Sequence, residues 1–232
     1  MPAFRRTVAG WRHFNIVVFA ILILTVMFPG GSALGSSSEA VQHFNLGNKA
    51  FQSGDLAQAE REYRAALKID PTMVDARQNL AIALAERGDL EGAAGEFRNV
   101  VKARPNSAEA HYNLGRVLFQ QKNDQEALAE FRQAVKLKPH YPQAMNNIAL
   151  LLERTGDPEA ALAEFRALIA VSPHYVEALN NFGQILANTG HVDEAIKQFQ
   201  AAIRLRPEFS QAHENLGLAL LKKKDSKADL CV

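Results

Sequence analysis

Asparagine returns every 34 residues at six positions: Asn45, Asn79, Asn113, Asn147, Asn181 and Asn215. A carboxamide carries an acceptor oxygen and an amino donor, so it can pair with a peptide backbone without reading its side chains. It lacks the acidity and nucleophilicity that acid–base or covalent catalysis requires. The row is therefore binding chemistry. Other residues that invite a chemical role offer less. His140 and His174 recur in a Pro-His-Tyr sequence with no ligand-spaced partner and read as turn residues. The single cysteine, Cys231, can form neither an internal disulfide nor a cysteine metal cluster. Glu130 with Arg132 and Glu164 with Arg166 read as solvated outer faces of helices. With no glycine-rich phosphate loop, nucleophile elbow or metal-binding pair in the chain, no catalytic residue, cofactor or metal is expected.

The elements that must position the row repeat with it. Pro71, Pro105, Pro139, Pro173 and Pro207 stand 34 residues apart without a slip. In the same register run Ala59, Ala93, Ala127, Ala161 and Ala195, and four residues after each comes a ring: Tyr63, Phe97, Phe131, Phe165 and Phe199. An apolar series, Leu46, Leu80, Leu114, Ile148, Phe182 and Leu216, is followed each time by a small residue: Gly47, Ala81, Gly115, Ala149, Gly183 and Gly217. Apolar residues at helical spacing predict two helices per unit, for example 108–121 and 125–137, separated by a polar break such as Lys122 to Asp124. Elsewhere the break reads Gly54-Asp55, Gly88-Asp89, Gly156-Asp157 and Gly190-His191, a helix end followed by a new cap. The small residues let paired helices approach, and the rings are expected to fill the space between neighbouring units. One unit cannot bury this surface alone, so units must stack.

Leucine, small residue, alanine, aromatic and proline at these places in a 34-residue unit resemble the tetratricopeptide repeat. The resemblance implies an all-α fold, a right-handed superhelical solenoid of helix-turn-helix repeats. It covers repeats 40–73, 74–107, 108–141, 142–175 and 176–209, with a capping helix over 210–224 that resembles the polar helix closing such arrays, then a short polar tail, 225–232. Places are counted from Ala40, Val74, Ala108, Pro142, Val176 and Ser210. The fourth place departs from the family, which often has tryptophan there; this chain has His43, Arg77, His111, Met145, Leu179 and His213, so inter-helix packing must be altered.

In the resembling solenoids the first helix of each unit lines a concave groove, which puts the sixth-place asparagines on that groove. With first helices about 9 to 10 Å apart and an extended chain advancing about 3.4 Å per residue, each amide would meet roughly every third residue of a peptide. The arrangement resembles the asparagine ladder of the protein O-GlcNAc transferases, without a counterpart of their glycosyltransferase domain. Two uses stay open for the row: contact with an extended peptide, or bonds between neighbouring helices. Phe44, Phe51, Tyr112 and Phe119 lie at groove places and are candidates for an apolar pocket, or for packing between helices. Relatives that clamp a C-terminal carboxylate use basic residues at the second, fifth and sixth places; here the second place holds Val41, Asp75, Glu109, Gln143, Glu177 and Gln211. A neutral or mildly basic segment is the better ligand.

Before the repeats, Arg5, Arg6 and Arg12 precede an apolar run beginning at Phe14 that extends to Leu34. Residues 1–37 read as a signal peptide or a signal anchor, with Ala33 and Gly35 placed for cleavage, and the membrane is a partner if the segment is kept. Because the first basic residue after the run is Lys49, the charge asymmetry puts the repeats outside the cytoplasm. Twenty-six basic against 25 acidic residues leave no cationic field for nucleic acid. The expectation is a non-enzymatic scaffold for a protein or peptide partner, in envelope assembly or secretion; the alternative is a docking module that uses its convex face or ends.

Overall fold

The structure, a computed structural model, describes residues 33–229, and all regular structure among them is helical. The helices are α1 (Ala33–Gln52), α2 (Leu56–Ile69), α3 (Val74–Glu86), α4 (Leu90–Ala103), α5 (Ala108–Gln120), α6 (Asp124–Leu137), α7 (Pro142–Arg154), α8 (Pro158–Val171), α9 (Val176–Asn188), α10 (Val192–Leu205) and α11 (Ser210–Asp229). No helix among the described residues is long and apolar enough to cross a membrane. Most of the expected targeting segment, including Arg5, Arg6, Arg12 and the apolar run to Gly31, lies outside the described residues, as does Cys231.

One local device ends the first helix of five successive units. After α1 the amide of Gly54 donates to the Phe51 carbonyl and that of Asp55 to Ala50, and the same pair of bonds recurs at Gly88 and Asp89, Lys122 and Asn123, Gly156 and Asp157, and Gly190 and His191. This paired geometry satisfies carbonyls that the helix end would otherwise leave open, and it needs a left-handed residue at its centre. Glycine supplies that conformation at four of the turns, with φ between 83° and 90°, and Lys122 at the fifth with φ 62°. The next residue starts the second helix: the Asp55, Asp89 and Asp157 carboxylates accept from the amides of Gln58, Gly92 and Ala160. Helix α11 lacks the device. Its equivalent residue is Lys224, followed by Asp-Ser-Lys-Ala with no glycine or proline, and the helix runs on to Asp229 rather than stopping at 224.

The chain divides into two compact units, Met1–Glu96 and Phe97–Val232, with the boundary inside α4. In the first unit α1 pairs with α2, and α3 packs on α2. Tyr63 lies over Gly47, so close that a Cβ at Gly47 would stand 2.6 Å from the ring. In the second unit α5 pairs with α6, α7 with α8 and α9 with α10; each second helix also meets the next first helix, and α9 touches both α7 and α11. Phe131 lies over Gly115 and Phe199 over Gly183 in the same manner. The rings therefore seat first on the small residue of their own hairpin, rather than only between neighbouring units as the pattern predicted. Phe165 does reach the next unit, 5.8 Å from Phe182 between ring centroids. Each fully buried ring removes enough apolar surface from water to contribute about 2–3 kcal/mol, and Phe131, Phe165 and Phe199 repeat that contribution along the second unit.

Candidate functional site

The sixth-place asparagines project from first helices, and their hydrogen bonds follow a rule. In the first unit Asn45 is exposed on α1, while Asn79 on α3 is half-buried and donates 2.8 Å to Asn48 Oδ1 on α1. The same oxygen accepts from the Tyr63 hydroxyl at 2.9 Å. Burial pushes the Tyr63 hydroxyl up to about 12, and a hydrogen bond with Asn79 partly offsets the rise. In the second unit Asn181 on α9 donates 3.0 Å to Asn146 Oδ1 on α7, and Asn215 on α11 donates 2.8 Å to Asn180 Oδ1 on α9. Asn147 on α7 stands near enough to the Tyr112 hydroxyl on α5 to oppose part of its upward shift. Asn181 and Asn215 thus tie back to the fifth-place residue of the preceding first helix, 35 residues earlier, whereas Asn79 ties back to the ninth place, 31 residues earlier. Asn113 is half-buried on α5.

These bonds leave the row partly occupied. Each amide nitrogen has two protons and each oxygen two lone pairs, so one bond to the neighbouring helix fixes the rotamer and still leaves hydrogen-bonding capacity. Asn146 is buried with its nitrogen 3.5 Å from Asn147 Oδ1, and Asn180 Nδ2 is a buried side-chain nitrogen without a hydrogen-bond partner.

The candidate aromatics are also engaged. Phe44 is half-buried against Tyr63, with ring centroids 6.2 Å apart. Tyr112 is buried against Phe131 and Tyr141, at 5.8 and 4.8 Å, with the Arg116 guanidinium 5.6 Å from its ring. Burial raises the Tyr112 hydroxyl, and Arg116 and Asn147 oppose the rise. Phe119 is half-buried beneath Arg154, whose guanidinium lies 3.9 Å from the ring centroid and also holds Asp124 and the Phe119 carbonyl. Phe44 and Phe51 belong to one unit, Tyr112 and Phe119 to the other. Sequence reasoning missed Arg116 and Arg154; their only signal was a cation four residues after Tyr112 and another 35 residues after Phe119.

At the fourth place, where the family often has tryptophan, His43, Arg77, His111 and His213 make polar contacts. His111 Nδ1 lies 2.6 Å from Glu130 Oε2, and Nε2 lies 2.9 Å from the Pro105 carbonyl. Arg77 makes the same two contacts with Glu96, at 2.8 Å, and the Pro71 carbonyl, at 3.1 Å. His43 meets Glu62 at 2.6 Å, and His213 the Pro207 carbonyl at 2.7 Å. Glu130 is accordingly half-buried and bonded rather than part of a solvated face. His140 and His174 are exposed in turns.

Family models for the tetratricopeptide repeat match residues 44–108, 79–142 and 146–197, and a further TPR-repeat model matches 183–224. The chain belongs to the tetratricopeptide repeat family. No curated protein matches its sequence. Among solved structures, the TPR chain is similar to the MamA protein at 25% identity, covering 76% of this chain and 96% of that one with a TM-score of 0.66. It is similar in fold to YrrB, described as a TPR protein with an unusual peptide-binding site, at 22% identity over 79% and 96% of the two chains with a TM-score of 0.62. PilF of Pseudomonas aeruginosa shares the fold at 21% identity over 82% and 93%, with a TM-score of 0.64. A TPR scaffold of this kind suits protein–protein interaction, and the family is typically non-catalytic.

Proposed function

We propose that this TPR chain holds an extended, neutral or mildly basic peptide along the first helices of its second unit, as a non-enzymatic scaffold for envelope assembly or secretion. The observation that carries the reading is the pair of amides at Asn181 and Asn215, each already fixed by a bond to the preceding first helix. A side chain held in one rotamer loses little entropy when a ligand arrives, so a pre-bonded amide binds a peptide group better than a free one. The structural use of the row and its use toward a ligand are then one design. Glu109, Gln143, Glu177 and Gln211 at the second places offer no cation for a C-terminal carboxylate. The N-terminal charge asymmetry supports placing the repeats on the extracytoplasmic side of a membrane, with residues 1–37 as the signal or anchor.

Site-specific photocrosslinking in the native envelope tests this. Probes at Asn113 and Gln184, both half-buried on first helices, should capture one extended segment of a partner, and a probe at exposed Lys136 on α6 should not. The captured segment, made as a peptide, should bind an Asn113→Ala/Gln184→Ala protein about tenfold more weakly, the loss of one or two hydrogen bonds. Capture from α6, α8 and α10 alone would replace the groove with the convex docking surface.

A further inference from the structure

The second helices show what a first helix of this chain is built to receive. Tyr63, Phe131 and Phe199 seat on Gly47, Gly115 and Gly183 so closely that a Cβ there would stand 2.6 to 2.8 Å from a ring carbon. One turn before each ring is a fully buried alanine: Ala59, Ala127 and Ala195. Three places after the small residue comes Ala50 on α1 and a leucine on the other paired first helices, and Leu84, Leu118, Leu152 and Leu186 are 2, 0, 9 and 0% exposed.

Helix α11 repeats this receiving face, and among the described residues nothing lies on it. Gly217 occupies the small-residue place, yet a Cβ there meets no atom within 4 Å. Leu220 occupies the leucine place at 48% exposed, flanked by exposed Leu218 and Leu221. These residues are not the polar cap that the pattern predicted. The opposite side of α11 is firmly held: Ala212 and Ala219 are buried, Asn215 bonds to Asn180, Lys222 donates 2.6 Å to the Ala187 carbonyl, and Lys223 pairs with Asp193 at 2.6 Å. The helix is fixed in register while its socket stays open.

We infer that α11 receives an amphipathic helix from another polypeptide, which sets an aromatic ring over Gly217 and an alanine one turn before that ring. Each hairpin partner in the chain runs antiparallel to its first helix across a short turn, so its first turn lies near the end of that first helix. The first turns of α6 and α10 are acidic, with Asp124 and Glu126, and Asp193 and Glu194. Lys222 and Lys223 are held by the Ala187 carbonyl and Asp193, and an incoming helix in the same sense brings its first turn near exposed Lys224, where acidic residues are favoured. The incoming helix thus has the chemistry of α10: acidic start, alanine, ring. The second helices of another copy have their own rings already seated, so the occupant is a different chain. This site uses none of the sixth-place asparagine bonds invoked for the peptide groove except the one that anchors α11.

The test uses the full chain and a side-chain-constrained helical peptide with the sequence of Val192–Leu205, the constraint being needed because so short a helix is marginal alone. Saturable binding is expected, about tenfold weaker for the Phe199→Ala peptide and for Gly217→Val or Leu220→Asp protein, which lose the ring, the socket or its apolar wall. Circular dichroism of the Gly217→Val and Leu220→Asp proteins should match the parent, since both positions are exposed. The Asn113→Ala/Gln184→Ala protein should bind the helix unchanged, which separates this site from the groove. No binding, or binding that Gly217→Val and the Phe199→Ala peptide leave unaltered, overturns the inference. So does a concentration-dependent dimer in sedimentation that Leu220→Asp abolishes, because the socket would then belong to a second copy.

Discussion

The fourth place of the repeat shows how one side chain replaces a larger one by a different physical route. A tryptophan there would fill space; His111 fills less but closes two polar accounts, the Glu130 carboxylate and the Pro105 carbonyl, at the joint between consecutive units. Both ring nitrogens face acceptors, so the ring bridges fully when both carry a proton. Arg77 makes the same bridge with the two terminal nitrogens of its guanidinium. The expected consequence is that His111→Arg keeps the stability of the parent to within about 1 kcal/mol, whereas His111→Leu, which leaves the half-buried Glu130 carboxylate and the Pro105 carbonyl without this partner, costs about 2 kcal/mol. Chemical denaturation of the two variants checks this. A leucine variant as stable as the parent would mean that packing, not the bridge, is what the place supplies.

At the scale of the helix pair, the turn is the most constrained element, because two backbone bonds and one left-handed residue must coincide within a few positions. Four turns meet the constraint with glycine and one with Lys122 at φ 62°, a conformation that costs a residue with a Cβ roughly 1 kcal/mol. Lys122 is exposed, so nothing packed is lost by shortening it. Lys122→Gly is expected to raise the unfolding free energy by about 0.5–1 kcal/mol, read as a higher thermal midpoint. A lower midpoint would show that the lysine side chain contributes more than its backbone conformation costs. The same turns were legible as polar breaks, and the break at 122–124 stood out because it lacked the glycine. Legibility fell at α11, whose end depended on the absence of a stop signal rather than on the presence of one.

At the scale of the whole molecule, charge is nearly balanced while ionisable phenols are buried. All four tyrosines, Tyr63, Tyr112, Tyr141 and Tyr175, have hydroxyls raised above the ordinary value, in each case chiefly by burial. The folded chain therefore keeps phenolic protons that the unfolded chain releases. Stability from this source is complete below pH 10 and is lost as pH rises through the folded values, for Tyr63 between 10 and about 12. In an alkaline titration, helical circular dichroism and tyrosinate absorbance should change together and steeply above pH 10. Gradual phenol titration near 10 with the helices intact would show the rings to be hydrated.

The sequence by itself determined what repeats: the helix pair, its turn, the stacking requirement and the family, because each depends on residue types recurring at one period. The asparagine row was visible in the same way. Which atoms those amides hold was not, because a hydrogen bond depends on the offset between two first helices, and that offset arises from rings seating on glycines a hairpin away. The tertiary structure alone decided that Asn181 binds Asn146, that Tyr112 is packed rather than open, and that Leu220 faces out while Leu186, the same residue in the same pattern, is buried. The same repeat position acquires a different environment when no described helix covers it, and a periodic pattern read along the chain holds no record of which neighbour does.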